Sequence, residues 1–196
     1  MDCTKVGKLI CALRREQGMT QRALAEKLGL SDRTISKWER GLGCPDVSLL
    51  TELASVLGVD TKRLLAGELA ENDTDGGNMR RLKFYVCPTC GNIITATGAA
   101  ELSCCGRTLV PLKAEKPDGE HAISIENMED EWFITFPHGM EKEHFISFFA
   151  YVRFDRVLLV RLYPEQGSEL RFPAMRGGRL YWYCSEHGLF ELNPGK

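Results

Sequence analysis

The sequence lacks long apolar runs and lacks an excess of charge of either sign. Its 196 residues carry 25 Lys and Arg against 27 Asp and Glu. The longest apolar runs, such as Phe148 to Val152, are far shorter than the roughly 20 residues that cross a bilayer. Its first residues show no sustained apolar stretch followed by a small-residue cleavage site. We therefore expect a cytoplasmic protein without a membrane partner.

Histidine is also scarce, at four residues, whereas there are eight cysteines. In a reducing compartment, eight cysteines indicate metal ligands, redox groups or small core residues rather than a disulfide framework. Cys11 lies beside an apolar helical stripe and is expected to pack there. Spacing identifies no partner for Cys3 or Cys44.

Apolar residues recur at helical spacing through residues 1–68, between glycines that end each segment. The pattern predicts five helices: one over 4–17 capped by Thr4, one from Thr20 to Gly29, one from Ser31 to Gly41, one from Pro45 and Asp46 to Gly58, and one over 61–66. Residues 69–82 are polar and glycine-containing and predict a linker. Beyond them, short runs rich in β-branched and aromatic residues predict an antiparallel sandwich or barrel: 122–125, 132–136, 145–153, 156–163, 170–172 and 180–184.

The second and third helices have the proportions of a helix-turn-helix. The third buries Ile35 and Trp38 and turns a polar, basic surface outward, which suits the major groove of DNA. A plain helical bundle with a solvated third helix has the same periodicity. From the pattern alone, both interpretations stay open.

The motif Thr20-Gln21-x2-Leu24-Ala25-x3-Gly29, followed by Ile35-Ser36-x-Trp38-Glu39-x-Gly41, resembles the Cro/phage-repressor (XRE-type) helix-turn-helix over residues 4–66. The resemblance implies a homodimer on a double-stranded DNA operator and a structural pair between Arg14 and Glu39. It implies that Gln21 binds a phosphate at a helix N-terminus. The other implied DNA contacts are Ser31, Asp32, Arg33, Thr34 and Lys37. Asp32 departs from the usual Gln-rich pattern of the family.

A Cys-x2-Cys pair, Cys87 and Cys90, is followed by the adjacent pair Cys104 and Cys105. Cysteines at such spacing are more typical of the four thiolate ligands of one tetrahedral metal ion than of four unrelated core residues. The adjacent second pair, with Phe84-Tyr85-x-Cys87-x2-Cys90-Gly91-Asn92 before it, resembles desulforedoxin and the N-terminal module of desulfoferrodoxin. The resemblance implies a metal module over 83–115 that holds iron, or zinc on the same ligands, and transfers electrons.

All four histidines lie within residues 121–187 together with one cysteine. Any one of them alone is more often an ordinary core or surface residue. Jointly they form a borderline-soft ligand set for Fe, Co, Ni, Cu or Zn. The candidate ligands are His121, His138, His144, Cys184 and His187.

Two segments, residues 137–146 and 183–188, look like the ligand segments of desulfoferrodoxin-type superoxide reductase, and the match extends over 82–192. It implies a seven-stranded immunoglobulin-like β-sandwich over 116–196, with iron in a plane of four imidazoles and Cys184 axial. It also implies superoxide or another small oxidant as substrate and a rubredoxin-like electron donor. The family has Glu then Lys before the first histidine; here Gly119 and Glu120 stand there. We expect Glu120 near the open face of the iron, where an anion slows an anionic substrate.

The sequence therefore predicts a multidomain α plus β protein: a five-helix helix-turn-helix bundle over 1–68, a linker, a four-cysteine module and a β-sandwich. The favoured function is a DNA-binding transcriptional regulator that carries an iron-containing redox or superoxide-sensing region. An active superoxide reductase that the helical domain localises or autoregulates is the alternative. A metal-loaded module used only for dimerisation is a third.

Overall fold

The computed structural model describes residues 1–70, 72, 78–175 and 177–194. Its internal contacts divide the chain into two compact units, residues 1–71 (the helical unit) and residues 72–196 (the β unit). The helical unit contains α1 (Cys3–Glu16), α2 (Gln21–Lys27), α3 (Asp32–Glu39), a 3-10 turn (Val47–Leu49), α4 (Leu50–Leu57) and α5 (Thr61–Ala66). No described helix is both long and apolar enough to cross a membrane.

Helix capping explains most of these boundaries. The side chains of Thr20 and Ser31 accept backbone N–H groups at the starts of α2 and α3, as predicted. The prediction that Thr4 caps the first helix is wrong, because Oδ1 of Asp2 accepts the N–H groups of Thr4 (2.9 Å) and Lys5 (3.2 Å). Gly58 ends α4 at φ +65°, a left-handed conformation that glycine adopts without steric cost.

The helical unit has one apolar core, with Ile10, Leu24, Ile35, Leu53 and Leu64 fully buried. Within it, α1 and α3 approach very closely at Gly7. A Cβ atom added to Gly7 would lie 2.0 Å from the carbonyl oxygen of Trp38. The glycine is therefore required by the close contact between the two helices.

Replacing Gly7 with alanine is expected to destabilise the helical unit. Alanine is favoured over glycine inside a helix by about 1 kcal/mol, but forcing a methyl group against a packed backbone costs roughly 1–3 kcal/mol or more. At 2.0 Å from a carbonyl oxygen the clash outweighs the propensity gain. Thermal unfolding of the Gly7→Ala variant measures this. Ala12→Gly, at an exposed position of α1, changes helix propensity without a clash. It should lower the free energy of unfolding by only about 1 kcal/mol.

The β unit begins with a short 3-10 helix, Met79–Arg81, inside the segment predicted as a linker. Met79 donates its N–H to the carbonyl of Phe154 (2.9 Å), and Arg80 donates to the carbonyl of Gly177 (3.1 Å). Residues 79–81 are thus anchored to the β unit. The rest of the predicted linker lies mostly outside the described residues.

Twelve short strands follow among the residues that the structure describes. They are β1 (Lys83–Val86), β2 (Ile93–Ala96), β3 (Leu102–Cys104), β4 (Arg107–Leu109), β5 (Ala114–Glu115), β6 (Ser124–Met128), β7 (Glu131–Thr135), β8 (Ile146–Val152), β9 (Val157–Arg161), β10 (Glu169–Pro173), β11 (Arg179–Cys184) and β12 (Gly188–Leu192). The first four form two hairpins, β1–β2 and β3–β4.

The remaining strands form two sheets, ordered β10-β7-β6 and β5-β12-β11-β8-β9. Both sheets contribute to one apolar core, including Ile134 of β7, Phe172 of β10, Phe149 of β8 and Trp182 of β11. All pairings are antiparallel except β5 with β12. The six predicted strands are confirmed with shifts of a few residues at their ends, and the immunoglobulin-like strand order stays a prediction.

Cys3 and Cys44 form a disulfide within the helical unit, with Cα atoms 4.9 Å apart. This pairing corrects the expectation that all eight cysteines are ligands, redox groups or core residues without a disulfide. Spacing could not reveal it, because the two residues are 41 positions apart, with the rest of α1 and all of α2 and α3 between them. The other six cysteines are free.

Candidate metal centres and DNA-binding surface

The four-cysteine cluster is built by two tight turns. After β1, Cys87 accepts the N–H of Gly91 (2.9 Å) and donates its own N–H to Asn92 (2.9 Å), which closes a knuckle around Cys90. Gly91 takes φ +65°, as the turn requires. The Cys-x2-Cys segment therefore places both sulfur atoms on the same side of the turn.

The second pair lies on the β3–β4 hairpin. Cys104 ends β3 and pairs with Arg107, so Cys105 and Gly106 form a two-residue loop. Both loop residues have positive φ (50° and 74°), the signature of a type I′ turn. This turn lets adjacent cysteines share one site, and all four sulfur atoms lie within 4.8 Å of one another.

Hydrogen bonds within this cluster separate the pKa values of its thiols. Hydrogen bonding from the backbone N–H of Cys90 lowers the pKa of Cys87 to about 6. Hydrogen bonds to the sulfur atoms of Cys90 and Cys87 raise the pKa of Cys105 to about 12. The sulfur atoms of Cys90 and Cys104 are 3.6 Å apart. A metal cation would remove the mutual repulsion of four thiolates, so the donor set fits zinc or iron.

The five-residue cluster collects side chains from four separate segments of the β unit. His121 precedes β6, His138 follows β7, His144 precedes β8, and Cys184 and His187 flank the turn between β11 and β12. Their ligand atoms lie within 4.8 Å of one another. All five predicted residues thus meet at one place.

The four imidazoles form a closed ring. Centroid separations are 5.1 Å from His121 to His138, 4.4 Å from His138 to His144, 4.9 Å from His144 to His187 and 4.8 Å from His187 to His121. Each ring thus neighbours two others. The four rings therefore border one site, to which Cys184 adds a fifth ligand atom.

Three buried ring nitrogens support the assignment of this cluster as a metal site. Nε2 of His121, His138 and His144 has no hydrogen-bond partner among the described residues. An unpaired buried polar atom is costly unless something binds it. On His187, Nδ1 lies 3.5 Å from the Cys184 sulfur. The residues therefore fit a transition metal held by three Nε2 atoms, one ring nitrogen of His187 and a thiolate.

Neighbouring groups fix the ring orientations. Nδ1 of His121 lies 2.6 Å from Oδ1 of Asp118, Nδ1 of His138 contacts the carbonyl of Gly139, and Phe190 stacks on His121 at 4.2 Å. With its Nδ1 engaged in this way, each ring directs Nε2 into the cluster. Burial lowers the pKa of His138, which favours the neutral imidazole that metals bind. Asp118 was not among the predicted site residues, although its place three residues before His121 offered a signal.

The fifth position is deeply buried. Cys184 is fully inaccessible to solvent, and burial raises the pKa of its thiol. A register shift between β11 and β8 at this residue marks a bulge, which re-aims a side chain. Ser185 then ties two ligand segments together, since it accepts the N–H of Phe145 (3.1 Å) and donates to the carbonyl of Glu143 (2.9 Å).

Glu120 lies in an exposed turn directly before His121. The residue is thus solvent-accessible beside the five-residue cluster. Its predicted influence on an anionic substrate stays a prediction.

Stacked aromatic rings pack β1, the strand that leads to the four-cysteine cluster, against β8 and β11 of the larger sheet. Phe84, three residues before Cys87, stacks on Phe148 at 5.5 Å, and Phe148 stacks on Tyr183 at 5.7 Å. Tyr183 precedes Cys184 in β11. These rings lie in one apolar cluster, whereas Cys184 belongs to the core on the other face of the sheet.

Five of the six predicted DNA-contact residues lie on α3 or at its N-cap, and the sixth, Gln21, begins α2. Ser31, Asp32, Arg33 and Lys37 are exposed, whereas Thr34 is half-buried. Two of them are also used in capping: the Ser31 hydroxyl accepts the N–H of Thr34 (3.2 Å) and lies 2.9 Å from its hydroxyl. Arg33 and Lys37 therefore offer the cationic groups of this surface.

A buried ion pair supports the same helices. Nε and Nη2 of Arg14 donate to the two carboxylate oxygens of Glu39, at 2.5 and 2.9 Å, as the family resemblance implied. Nε2 of Gln21 also donates to Glu39 (2.8 Å). Gln21 is thus half-buried in the domain, and its predicted phosphate contact stays a prediction.

Residues 12–64 match the HTH_3 family model, described as helix-turn-helix. A relative, the uncharacterized HTH-type transcriptional regulator y4dJ of Sinorhizobium fredii, is 42% identical over 66 residues, which are 33% of this chain and 86% of that protein. The chain belongs to the HTH_3 family. It spans 64% and 38% of the length of two other HTH-type regulators that it matches.

The rest of this HTH_3 protein is similar to a different group. Desulfoferrodoxin of Clostridium acetobutylicum is 25% identical over 120 residues, covering 57% of this chain and 96% of that protein. The crystal structure of the superoxide reductase from Treponema pallidum aligns with a TM-score of 0.50 at 18% identity, over 58% of this chain and 99% of that one. The chain thus joins a helix-turn-helix regulator domain to a superoxide reductase-like fold with two candidate metal sites.

Proposed function

We propose that this HTH_3 protein is a transcriptional regulator that binds operator DNA as a dimer and carries non-haem iron in its β unit. The observation that carries the proposal is the five-residue cluster, with three buried Nε2 atoms lacking partners among the described residues, in a chain whose other unit is a helix-turn-helix domain. Iron bound there would supply one-electron chemistry toward superoxide or a related small oxidant. The four-cysteine cluster would hold a second iron, or zinc.

The residues around the five-residue cluster prepare it for such a metal. His121, His138 and His144 keep Nε2 for the metal, and Asp118 and Gly139 hold two of the rings in place. Cys184 offers a thiolate from the buried side of the cluster. A bound cation there would offset the cost of burying the negative charge of the thiolate. His187 is exposed and lies at the solvent side of the cluster.

Operator affinity should depend on the redox state of the β unit. Oxidation would change the dimer or its contacts to DNA. The coupling free energy is the difference between the operator-binding free energies of the oxidised and the reduced protein. Duplexes enriched from a random library by the full chain provide the probe. Measuring their dissociation constants with dithionite-reduced and ferricyanide-oxidised protein tests the idea, and equal affinities would remove it.

Replacing Arg33 and Lys37 together with alanine is expected to abolish a sequence-specific footprint. Both side chains are exposed on α3, and a good side-chain contact to a base edge contributes about 1–3 kcal/mol. Two such losses amount to a reduction of roughly 30-fold or more in specific affinity. The control is Lys27→Ala with Lys62→Ala, which removes equal charge outside α3. An unchanged footprint in the first variant would overturn the assignment of α3.

A second candidate function is superoxide reduction, with electrons from a rubredoxin-like donor entering through the four-cysteine cluster. The packing of Phe84 on Phe148 and of Phe148 on Tyr183 favours it, because this packing fixes the strand that leads to Cys87 against the strand that ends at Cys184. A rate constant for superoxide near the diffusional range of about 10⁸ M⁻¹s⁻¹ would support the enzyme. A rate orders of magnitude lower would support the sensor.

Replacing Glu120 with lysine is expected to speed the reaction with superoxide. The change turns an anion beside the cluster into a cation, and steering of this kind raises association rates by roughly 10-fold or more at low ionic strength. Pulse radiolysis at two salt concentrations measures it, since salt should shrink the gain. Glu26→Lys, in the helical unit, makes the same charge change and serves as control. Equal rates in all three proteins would show that Glu120 does not influence the approach.

A further inference from the structure

The Cys3–Cys44 disulfide belongs to the helical unit, whereas both candidate metal sites belong to the β unit. Cys3 is the first residue of α1, and Cys44 lies in residues 40–46, the segment that follows α3. Both residues are half-buried, so the bond lies outside the closed core of the helical unit. The fold itself brings the pair together, because α1 packs directly on α3.

The other cysteines indicate the conditions under which this bond exists. Six cysteines are free, and the four-cysteine cluster binds a metal only as thiolates. Cys90 and Cys104, with sulfur atoms 3.6 Å apart, would be vulnerable to oxidation in a strongly oxidising compartment. The chain therefore suits an environment where thiols persist. Disulfides in such environments are usually transient or redox-sensing.

The segment around Cys44 contacts the proposed DNA-binding surface. A Cβ atom added to Gly43 would lie 3.1 Å from Cε of Lys37, so the residue next to Cys44 touches the stem of an α3 cation. Gly41 packs against Thr4, next to Cys3, with 3.0 Å between its added Cβ and the Thr4 Cα. Two hydrogen bonds end α3 here, from Gly41 N–H to the Trp38 carbonyl (2.8 Å) and from Leu42 N–H to the Lys37 carbonyl (3.0 Å).

We propose that Cys3 and Cys44 form a reversible thiol–disulfide switch that controls DNA binding independently of the metal sites. Hydrogen peroxide oxidises the pair: two thiols lose two electrons and two protons, the S–S bond forms, the O–O bond breaks and two waters leave. A dithiol reductant reverses it by thiolate attack on one sulfur, and the reductant becomes the disulfide. The oxidised pair fixes residues 40–46 against α1. The reduced pair releases them and loosens the end of α3.

Hydrogen exchange of the full chain tests the conformational part without DNA. The protein is treated with one equivalent of peroxide or with dithiothreitol, and alkylation with peptide mass spectrometry records the state of each cysteine. We expect the amides of Gly41 and Leu42 to exchange at least about tenfold faster after reduction, since opening is then less costly. Cys3→Ser and Cys44→Ser should each abolish the difference, whereas Cys11→Ser, in the same domain, should retain it.

Duplexes enriched from a random library test the functional part. Reduced protein should bind them at least about tenfold more weakly, because it must order residues 40–46 on binding. The switch is overturned by equal exchange in the two states, by a bond that dithiothreitol breaks only after denaturation, or by equal DNA affinity. Failure of both forms to bind any duplex would overturn DNA control by the pair and also contradict the proposed regulator. Equal affinity at both iron redox states would contradict only the proposed iron coupling.

Discussion

Replacing Cys184 with alanine is expected to remove the thiolate-to-iron absorption of the five-residue cluster and to weaken metal binding there by about 100-fold or more. Loss of a group that merely orients a ligand typically costs 10- to 100-fold in affinity. Cys184 is a direct ligand in the proposed site, and it is the single sulfur donor there. The expected loss is therefore at least at the upper end of that range.

The four-cysteine cluster would contribute absorption of the same kind, so the measurement needs a background in which it is silent. Cys90→Ser with Cys105→Ser provides that background, because both residues are exposed and neither is part of the five-residue cluster. Anaerobic titration with Fe(II), followed by oxidation, then reports one site. Cys11→Ala is the matched control, as a free cysteine in the helical unit. Persistence of the band after Cys184→Ala would show that another group supplies the sulfur ligand.

The metal candidates could be predicted from the sequence because their signals are local or compositional. Cys87 and Cys90 share a knuckle, and Cys184 and His187 share a turn, so spacing alone pairs them. The meeting of His121 with His138 depends on sheet topology, and only the family resemblance supplied it. Groups that orient the rings, such as the carbonyl of Gly139 and the hydroxyl of Ser185, have no sequence signal, because backbone geometry determines their role.

The same contrast holds for the fold: features that depend on neighbouring residues could be predicted, whereas contacts between residues far apart in the sequence could not. Helix starts at Thr20 and Ser31 follow from capping chemistry within four residues, and both are confirmed. The anchoring of Met79 to Phe154 and the bond between Cys3 and Cys44 join residues 75 and 41 positions apart. A three-residue 3-10 helix has no periodicity to detect, and two cysteines far apart in the sequence carry no pairing signal.

Replacing Glu39 with glutamine is expected to destabilise the helical unit by about 3–5 kcal/mol. The side chains of Arg14 and Glu39 are only 8% and 5% exposed, and removing one partner of a buried pair leaves the other charge uncompensated. The exposed pair of Arg22 and Glu26, at 82% and 65%, offers a matched control. Glu26→Gln should change the unfolding free energy by no more than about 1 kcal/mol. Urea unfolding followed by circular dichroism measures both variants.

The same pair predicts how the stability of the helical unit depends on pH. Burial alone would raise the pKa of Glu39, but hydrogen bonds from Arg14 and Gln21 outweigh it and hold that pKa below its usual value. The unfolded chain therefore binds the Glu39 proton more readily, and the stabilisation present above the unfolded pKa of about 4.3 is lost as the pH falls through the folded value. Glu39→Gln should flatten this acid dependence, whereas Glu26→Gln should leave it. If the free energy of unfolding falls equally steeply with decreasing pH in the Glu39→Gln variant and in the unaltered protein, other carboxylates govern acid unfolding.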